Sequence, residues 1–224
     1  RRLSKLLELI GRQNTSREFQ QKCLKNCGNE IAVDGHIITT SSENNELSSP
    51  GYKTKISKSE QMNLMVALDV ETASPVATKV YPGYMLDKSD FSDFIEHCFL
   101  IKGKIILIDK GFYSEENMSL LEKEGAFFVM PLSENNSMYK KVMKEVSSTC
   151  VGNTLEDYFF YNKSKKTDLV KYKTIKTGNR TVTYYKNISE AERLSKKYLE
   201  ELEAGSKAHS MEKYNKIVDS FGVI

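Results

Sequence analysis

Two short apolar runs each deliver one carboxylate. They are Ile31-Ala32-Val33-Asp34-Gly35-His36 and Lys104-Ile105-Ile106-Leu107-Ile108-Asp109-Lys110-Gly111-Phe112. Four apolar residues without helical spacing precede Asp109, the pattern of a strand buried on both faces. An acidic group on such a strand emerges where the sheet gives way to solvent or ligand. Two carboxylates presented by neighbouring strands can share divalent cations, the beginning of a phosphoryl-transfer site. A lone strand-end aspartate more commonly caps a turn. It is the pairing of Asp34 with Asp109 that argues for chemistry.

The elements that must position them follow from pattern. Residues 1–29 read as helical: Leu3, Leu6, Leu7 and Ile10 form one apolar stripe, and a second helix covers about Arg17 to Leu24. The Asp34 strand comes next, then a polar stretch from Ser41 to Ser59. Strands around Leu64–Val70 and Val76–Tyr81, joined through Thr72-Ala73-Ser74-Pro75, form a hairpin. A helix from about Ser89 carries Phe91, Phe94, Ile95 and Cys98 on one face. The Asp109 strand leads to a helix beginning at Ser114, with Glu115 and Glu116 in its first turn and Gly125 as its stop. Ala126–Leu132 is a last buried strand. Three meandering strands followed by helix, strand, helix and strand is the order of a ribonuclease H-like core, whose first and fourth strands lie side by side. Those are the strands of Asp34 and Asp109.

Composition sets the outer bounds. A chain of 224 residues can bury one α/β core plus an appendage. With 39% hydrophobic and 28% charged residues it is globular rather than disordered. A net charge of +3 is mild, so any nucleic-acid surface must come from local clustering. No apolar stretch reaches membrane-spanning length and no signal peptide is evident, so a soluble, cytoplasmic protein is expected. Cys23, Cys27, Cys98 and Cys150 lack zinc-finger spacing, and only His36, His97 and His209 could assist them; reduced thiols are expected rather than a zinc site. The chain starts at Arg1, not methionine, and reads as a piece of something longer.

From Lys163 to Lys186, eight basic residues stand against one acidic residue, Asp168. Leu169–Thr177 and Arg180–Lys186 flank Gly178-Asn179, a two-residue hairpin signal. Tyr158, Phe159, Phe160, Tyr161, Tyr172, Tyr184 and Tyr185 interleave with the cations. Such a ribbon suits phosphate contact and base stacking, although lysine is also a standard guard on exposed strands. Lys53, Lys55 and Lys58 form a weaker cluster that reads as a solvated loop. The segment containing Glu190, Glu192, Glu200, Glu201 and Glu203 is an amphipathic helix. It opens with a capping box at Ser189 and Glu192 and buries Ala191, Leu194, Tyr198 and Leu202.

The stretch from Ile31 to Leu132 resembles the catalytic domain of bacterial insertion-sequence transposases of the DDE type, in the branch with a β-rich insertion. The resemblance is carried by VDGH around Asp34, GYKTKISKSEQMNLMVALD from Gly51, VYPGYMLD from Val80, and LIDKGFYSEENMSLLEKEGAFFVMPL from Leu107. The last piece is the most specific: aspartate, basic residue, glycine and aromatic, then a helix and a strand. Lys110 stands where arginine is usual, and Tyr84 where asparagine is common. The resemblance implies an α/β fold with a ribonuclease H-like mixed sheet flanked by helices. It divides the chain into an N-terminal helical segment (1–29), the core (30–132), an α+β insertion (133–218) and the start of a truncated core strand (219–224).

It also implies a chemistry. Asp34 and Asp109 would hold two Mg2+ or Mn2+ ions, one activating water or a DNA 3′-hydroxyl and the other stabilising the leaving oxygen. Lys110, Lys171, Lys173, Lys176 and Arg180 would contact DNA. The partners would be double-stranded DNA, at element ends and target, and a second copy of the chain in a homodimeric DNA complex; no membrane is involved. A third acidic residue, a glutamate within a Tyr-x-x-Arg-x-x-x-Glu-x-x-x-x-x-x-Lys pattern, completes such sites, and nothing here matches it. The expectation is truncation before that glutamate, a fragment inactive alone, and a bare apolar sheet face. A haloacid-dehalogenase-type phosphatase would need a second aspartate where His36 stands. The remaining alternative is a non-catalytic DNA-binding remnant of a transposase.

Overall fold

Alternation of buried and half-buried residues runs the length of Glu60–Asp69, where Gln61, Asn63, Met65, Ala67 and Asp69 are buried and the residues between are more open. That period of two specifies a strand whose two faces meet different surroundings. The computed structural model describes residues 5–6, 15–41, 45–50, 59–85, 87–98, 101–149, 157–163, 166–205, 210–211, 214 and 222–223. The apolar stripe expected over residues 3–10, the lysine cluster 53–58 and Cys150 fall wholly or mostly outside them. The chain divides into two compact units, Arg1–Met130 and Pro131–Ile224.

The first unit holds α1 (Thr15–Asn26), β1 (Glu30–Thr39), β2 (Ser49–Pro50), β3 (Glu60–Asp69), β4 (Pro75–Pro82), α2 (Asp87–Cys98), β5 (Ile105–Ile108), a 3-10 turn (Lys110–Phe112), α3 (Glu115–Lys123) and β6 (Phe127–Val129). Its main sheet is ordered β4-β3-β1-β5-β6, and β2 adds two residues against Glu60 and Gln61. The β4–β3 and β3–β1 pairs are antiparallel, whereas β1–β5 and β5–β6 are parallel. A meander of three strands followed by two parallel strands, each reached through a helix, is the ribonuclease H-like topology.

The core lies on one face. Ile31, Val33, Met65, Ala67, Ile106 and Ile108 are buried there beneath Phe91, Phe94 and Ile95 of α2 and Met118 and Leu121 of α3. Full burial of each of the larger side chains, Ile, Val, Met, Leu and Phe, is worth about 1.5–3 kcal/mol. A buried polar bridge ties α2 to the sheet: Asn63 Nδ2 donates to Asp90 Oδ2 (3.0 Å) and to the Met85 carbonyl (3.0 Å). The other face carries Leu68, Val80, Phe127 and Val129, all exposed, with Phe127 at 66%. Cys23 and Cys27 of the first unit are free thiols.

Local signals mark the helix ends. Ser114 caps α3 by accepting the Asn117 N–H at 3.1 Å. Gly125 (φ +71°) ends it with paired bonds, Gly125 N–H to the Glu122 carbonyl and Ala126 N–H to the Leu121 carbonyl, the left-handed stop that glycine adopts without strain. The hairpin turn at Asp69 is tied by its carboxylate, which accepts N–H bonds from Gly28 (3.0 Å) and Glu71 (3.0 Å). These bonds, Gly28 first, hold the Asp69 carboxyl below its ordinary range.

The second unit contains α4 (Ser137–Thr149), β7 (Asp157–Lys163), β8 (Lys166–Thr177), β9 (Arg180–Asn187), α5 (Ile188–Glu203) and β10 (Gly222–Val223), with sheet order β10-β9-β8-β7. Gly178 (φ +62°) and Asn179 close the expected two-residue hairpin. Helix α4 went unread in sequence, although Met138, Tyr139, Val142 and Met143 form a stripe that packs on Ile175, Val182 and Tyr184.

Three expectations change in this unit. The cap of α5 is Asn187, not Ser189: the Asn187 side chain accepts the Glu190 N–H at 2.9 Å, and Ser189 Oγ instead accepts the Leu169 N–H at 3.0 Å. Strand β9 runs directly into the helix, so the cap falls on the last strand residue. No residue of α5 is fully buried, and Leu194 is 47% exposed. Residues 222–223 of the expected core strand 219–224 pair instead with Tyr185 and Tyr184 of β9.

Candidate active site

Asp34 does not end its strand. Antiparallel pairing with β3 continues from Gly35 to Thr39, because the backbone groups on that side of β1 still have partners. What ends at Val33 is the parallel pairing with β5, whose last register pair is Val33 with Ile108. The next residue on each chain is therefore a carboxylate, Asp34 on β1 and Asp109 just past β5. Val33 and Ile108 are buried on the helix-covered face, so alternation turns both aspartates to the opposite, open face. Both are exposed.

Each carboxylate is oriented by its own chain. Asp34 Oδ1 accepts the Gly35 N–H at 2.8 Å, and Asp109 Oδ1 accepts the Lys110 N–H at 2.7 Å. Asp109 thus caps the 3-10 turn and serves the ordinary turn-capping role as well. The turn sends Phe112 into the core, 3% exposed, with its ring centroid 5.3 Å from that of Phe91. Lys110 stays exposed beside Asp109. Two exposed carboxylates supply hard oxygen donors suited to Mg2+ or Mn2+. Among the described residues, no group of three or more His, Cys, Asp or Glu side chains stands together as a ready metal site.

The basic residues of the second unit are divided by the pleat. Lys171, Lys173 and Arg180 share the face of Ile175 and Val182 that α4 covers in part, whereas Lys176 belongs to the opposite face with Tyr172 and Tyr185. On that opposite face Phe159, Tyr161, Tyr172 and Tyr185 line an open groove of about 320 Å3. Strand β7 contributes four consecutive exposed aromatics, Tyr158 to Tyr161. Asp168, the one acidic residue of the ribbon, is structural: Arg193 contacts both its oxygens (3.0 and 3.1 Å) and Asn187 Nδ2 donates to it at 3.0 Å. These partners, Arg193 foremost, lower its carboxyl below the usual range. Arg193 also pairs with Glu190.

The sheet order, with two carboxylates where its central parallel pair ends, defines a ribonuclease H-like domain. The family described as Transposase DDE domain matches residues 25–213, and the chain belongs to that family. Comparison with curated proteins finds no match. Among solved structures, a cryo-EM structure of a piggyBac transposase synaptic complex with hairpin DNA is similar over 74% of this chain, at 13% identity and a TM-score of 0.43. The similarity spans 34% of that transposase chain.

Proposed function

We propose that this chain is the catalytic part of a DNA transposase of the insertion-sequence DDE type, cutting and joining DNA at element ends by phosphodiester hydrolysis and strand transfer. The observation that carries this reading is the register of β1 against β5, whose last pair, Val33 with Ile108, immediately precedes Asp34 and Asp109 in a transposase DDE domain. Asp34 and Asp109 would hold two divalent cations, Mg2+ or Mn2+. When bound, such ions supply Lewis acidity to the attacking and leaving oxygens of a phosphodiester.

The chain's own residues do the rest. The Gly35 and Lys110 N–H groups hold one oxygen of each carboxylate and so set its plane. Lys110 adds a positive charge beside Asp109 that attracts the DNA backbone. Lys171, Lys173, Lys176 and Arg180 contact phosphates, and the exposed aromatics of β7 offer faces for stacking. The working form would be a homodimer on double-stranded DNA in the bacterial cytoplasm. A plasmid-nicking assay with Mg2+ or Mn2+ tests the reading: cleavage that survives Asp34→Ala or Asp109→Ala refutes it.

A further inference from the structure

Phe112 links the two carboxylate-bearing elements, and one side chain holds Phe112 in place. A methyl group at Gly35, the residue after Asp34, would stand 3.3 Å from the Cζ of Phe112 and 3.3 Å from the Sδ of Met65. The ring that follows Asp109 by three residues therefore fills the space that glycine leaves beside Asp34. The Phe112 carbonyl ends the 3-10 turn, where a carbonyl lacks an intrahelical partner. Asn117, 3% exposed, donates Nδ2 to that carbonyl at 2.9 Å and to the Lys88 carbonyl at 3.1 Å, in the first turn of α2. Its own N–H is taken by the cap, Ser114 Oγ. One amide group thus joins the turn after Asp109, the start of α2 and the start of α3.

Residue chemistry makes this role specific. Two carbonyls converge on one nitrogen, and an amide NH2 has two donors to offer. Aspartate has the same shape and no donor when ionised; serine has one; glutamine is longer by a methylene. We propose that Asn117 is a positioning residue for the Asp34–Asp109 pair. By fixing the Phe112 carbonyl it keeps the ring seated against Gly35, and so holds the β5 end in place beside β1. This rests on the reading that the pair binds divalent cations. Asn117 touches neither the cations nor DNA and acts through Phe112.

The test is Mn2+ affinity of the 224-residue chain, measured from the electron paramagnetic resonance of free Mn2+, alongside urea denaturation. Native chain, Asp109→Ala, Asn117→Ala, Gly35→Ala and Leu24→Ala are compared. Leu24 is fully buried on α1 and serves as a core truncation away from the turn. Removing a residue that orients a metal ligand typically weakens binding about 10–100-fold. Folded Asn117→Ala should therefore bind Mn2+ at least about tenfold more weakly, while Leu24→Ala, at equal or greater loss of stability, stays within about twofold, below that range. Gly35→Ala, which pushes Phe112 from the other side, should reproduce the weakening and decides the matter if Asn117→Ala does not fold. Unchanged Mn2+ affinity in a folded Asn117→Ala or Gly35→Ala chain, when Asp109→Ala no longer binds, overturns the positioning role alone. Equal binding by the native chain and Asp109→Ala overturns the metal reading and this proposal with it.

Discussion

Val33 and Ile108 are the last register partners of the parallel pair at the centre of the first sheet, both buried on the helix-covered face. One residue further along each chain, alternation brings Asp34 and Asp109 out together on the other face. On the proposed reading, a cation bound there would be held by both carboxylates, which neither strand could offer alone.

Removing either carboxylate should therefore abolish the chemistry and spare the binding. In a protein that nicks DNA, Asp34→Ala and Asp109→Ala should each reduce metal-dependent plasmid nicking to background. DNA affinity by gel shift should remain within a few-fold, because phosphate contacts elsewhere supply most of it.

DNA binding through the second unit should be resolved by face. Every cation withdrawn from a phosphate lowers the slope of log affinity against log salt by about 0.9. If Lys171, Lys173 and Arg180 grip the backbone together, their joint replacement by alanine should flatten the slope by about 2–3. Lys176→Ala, on the opposite face, should flatten it by at most the single-phosphate value of about 0.9. An unaltered slope in the triple variant returns these cations to the role of guards on a sheet.

The 224-residue chain by itself should fold and yet nick DNA poorly. Two aspartates leave a pair of cations short of ligands, and Mg2+ tolerates incomplete geometry badly. The exposed Leu68, Val80, Phe127 and Val129 should also promote association, visible by light scattering. Robust nicking by the 224-residue chain, abolished in Asp109→Ala, would point to a third carboxylate within it, with Glu190–Glu203 the first place to search.

Asp69 should contribute to stability in a pH-dependent manner. Its folded-state carboxyl is lowered by the Gly28 and Glu71 N–H groups, so its contribution is complete above the unfolded value of about 3.9 and fades as pH falls through the lower folded value. Asp69→Asn should destabilise the chain at pH 7 and differ less from native at a strongly acid pH that protonates the lowered Asp69 carboxyl, since both side chains are then neutral. Urea denaturation at the two pH values checks this. A stability gap that is constant with pH would show that the hydrogen-bonded charge is irrelevant.

Much of the architecture was legible along the chain because its causes are local. The strand before Asp109, the Ser114 cap, the Gly125 stop and the Gly178-Asn179 turn each act through a few adjacent residues and form where expected, although that strand is buried on one face rather than both, with Ile105 and Leu107 half-buried. The motif from Leu107 to Leu132 likewise carries the family within one continuous segment. Other elements escaped for equally physical reasons. Helix α4 has an apolar stripe of ordinary strength that becomes decisive only against Ile175, Val182 and Tyr184, some 40 residues downstream. The Ser189 cap gave way to Asn187 because a strand directly precedes the helix.

The sequence by itself determined that two carboxylates follow short apolar runs and that cations alternate with aromatics along a ribbon. Only the tertiary structure decided that Asp34 lies within a strand, that the β1–β5 pairing ends one residue before both Asp34 and Asp109, and which cations share a face. Register and facing depend on hydrogen-bond ladders between segments some 75 residues apart, and one residue of slip would turn either aspartate to the buried side.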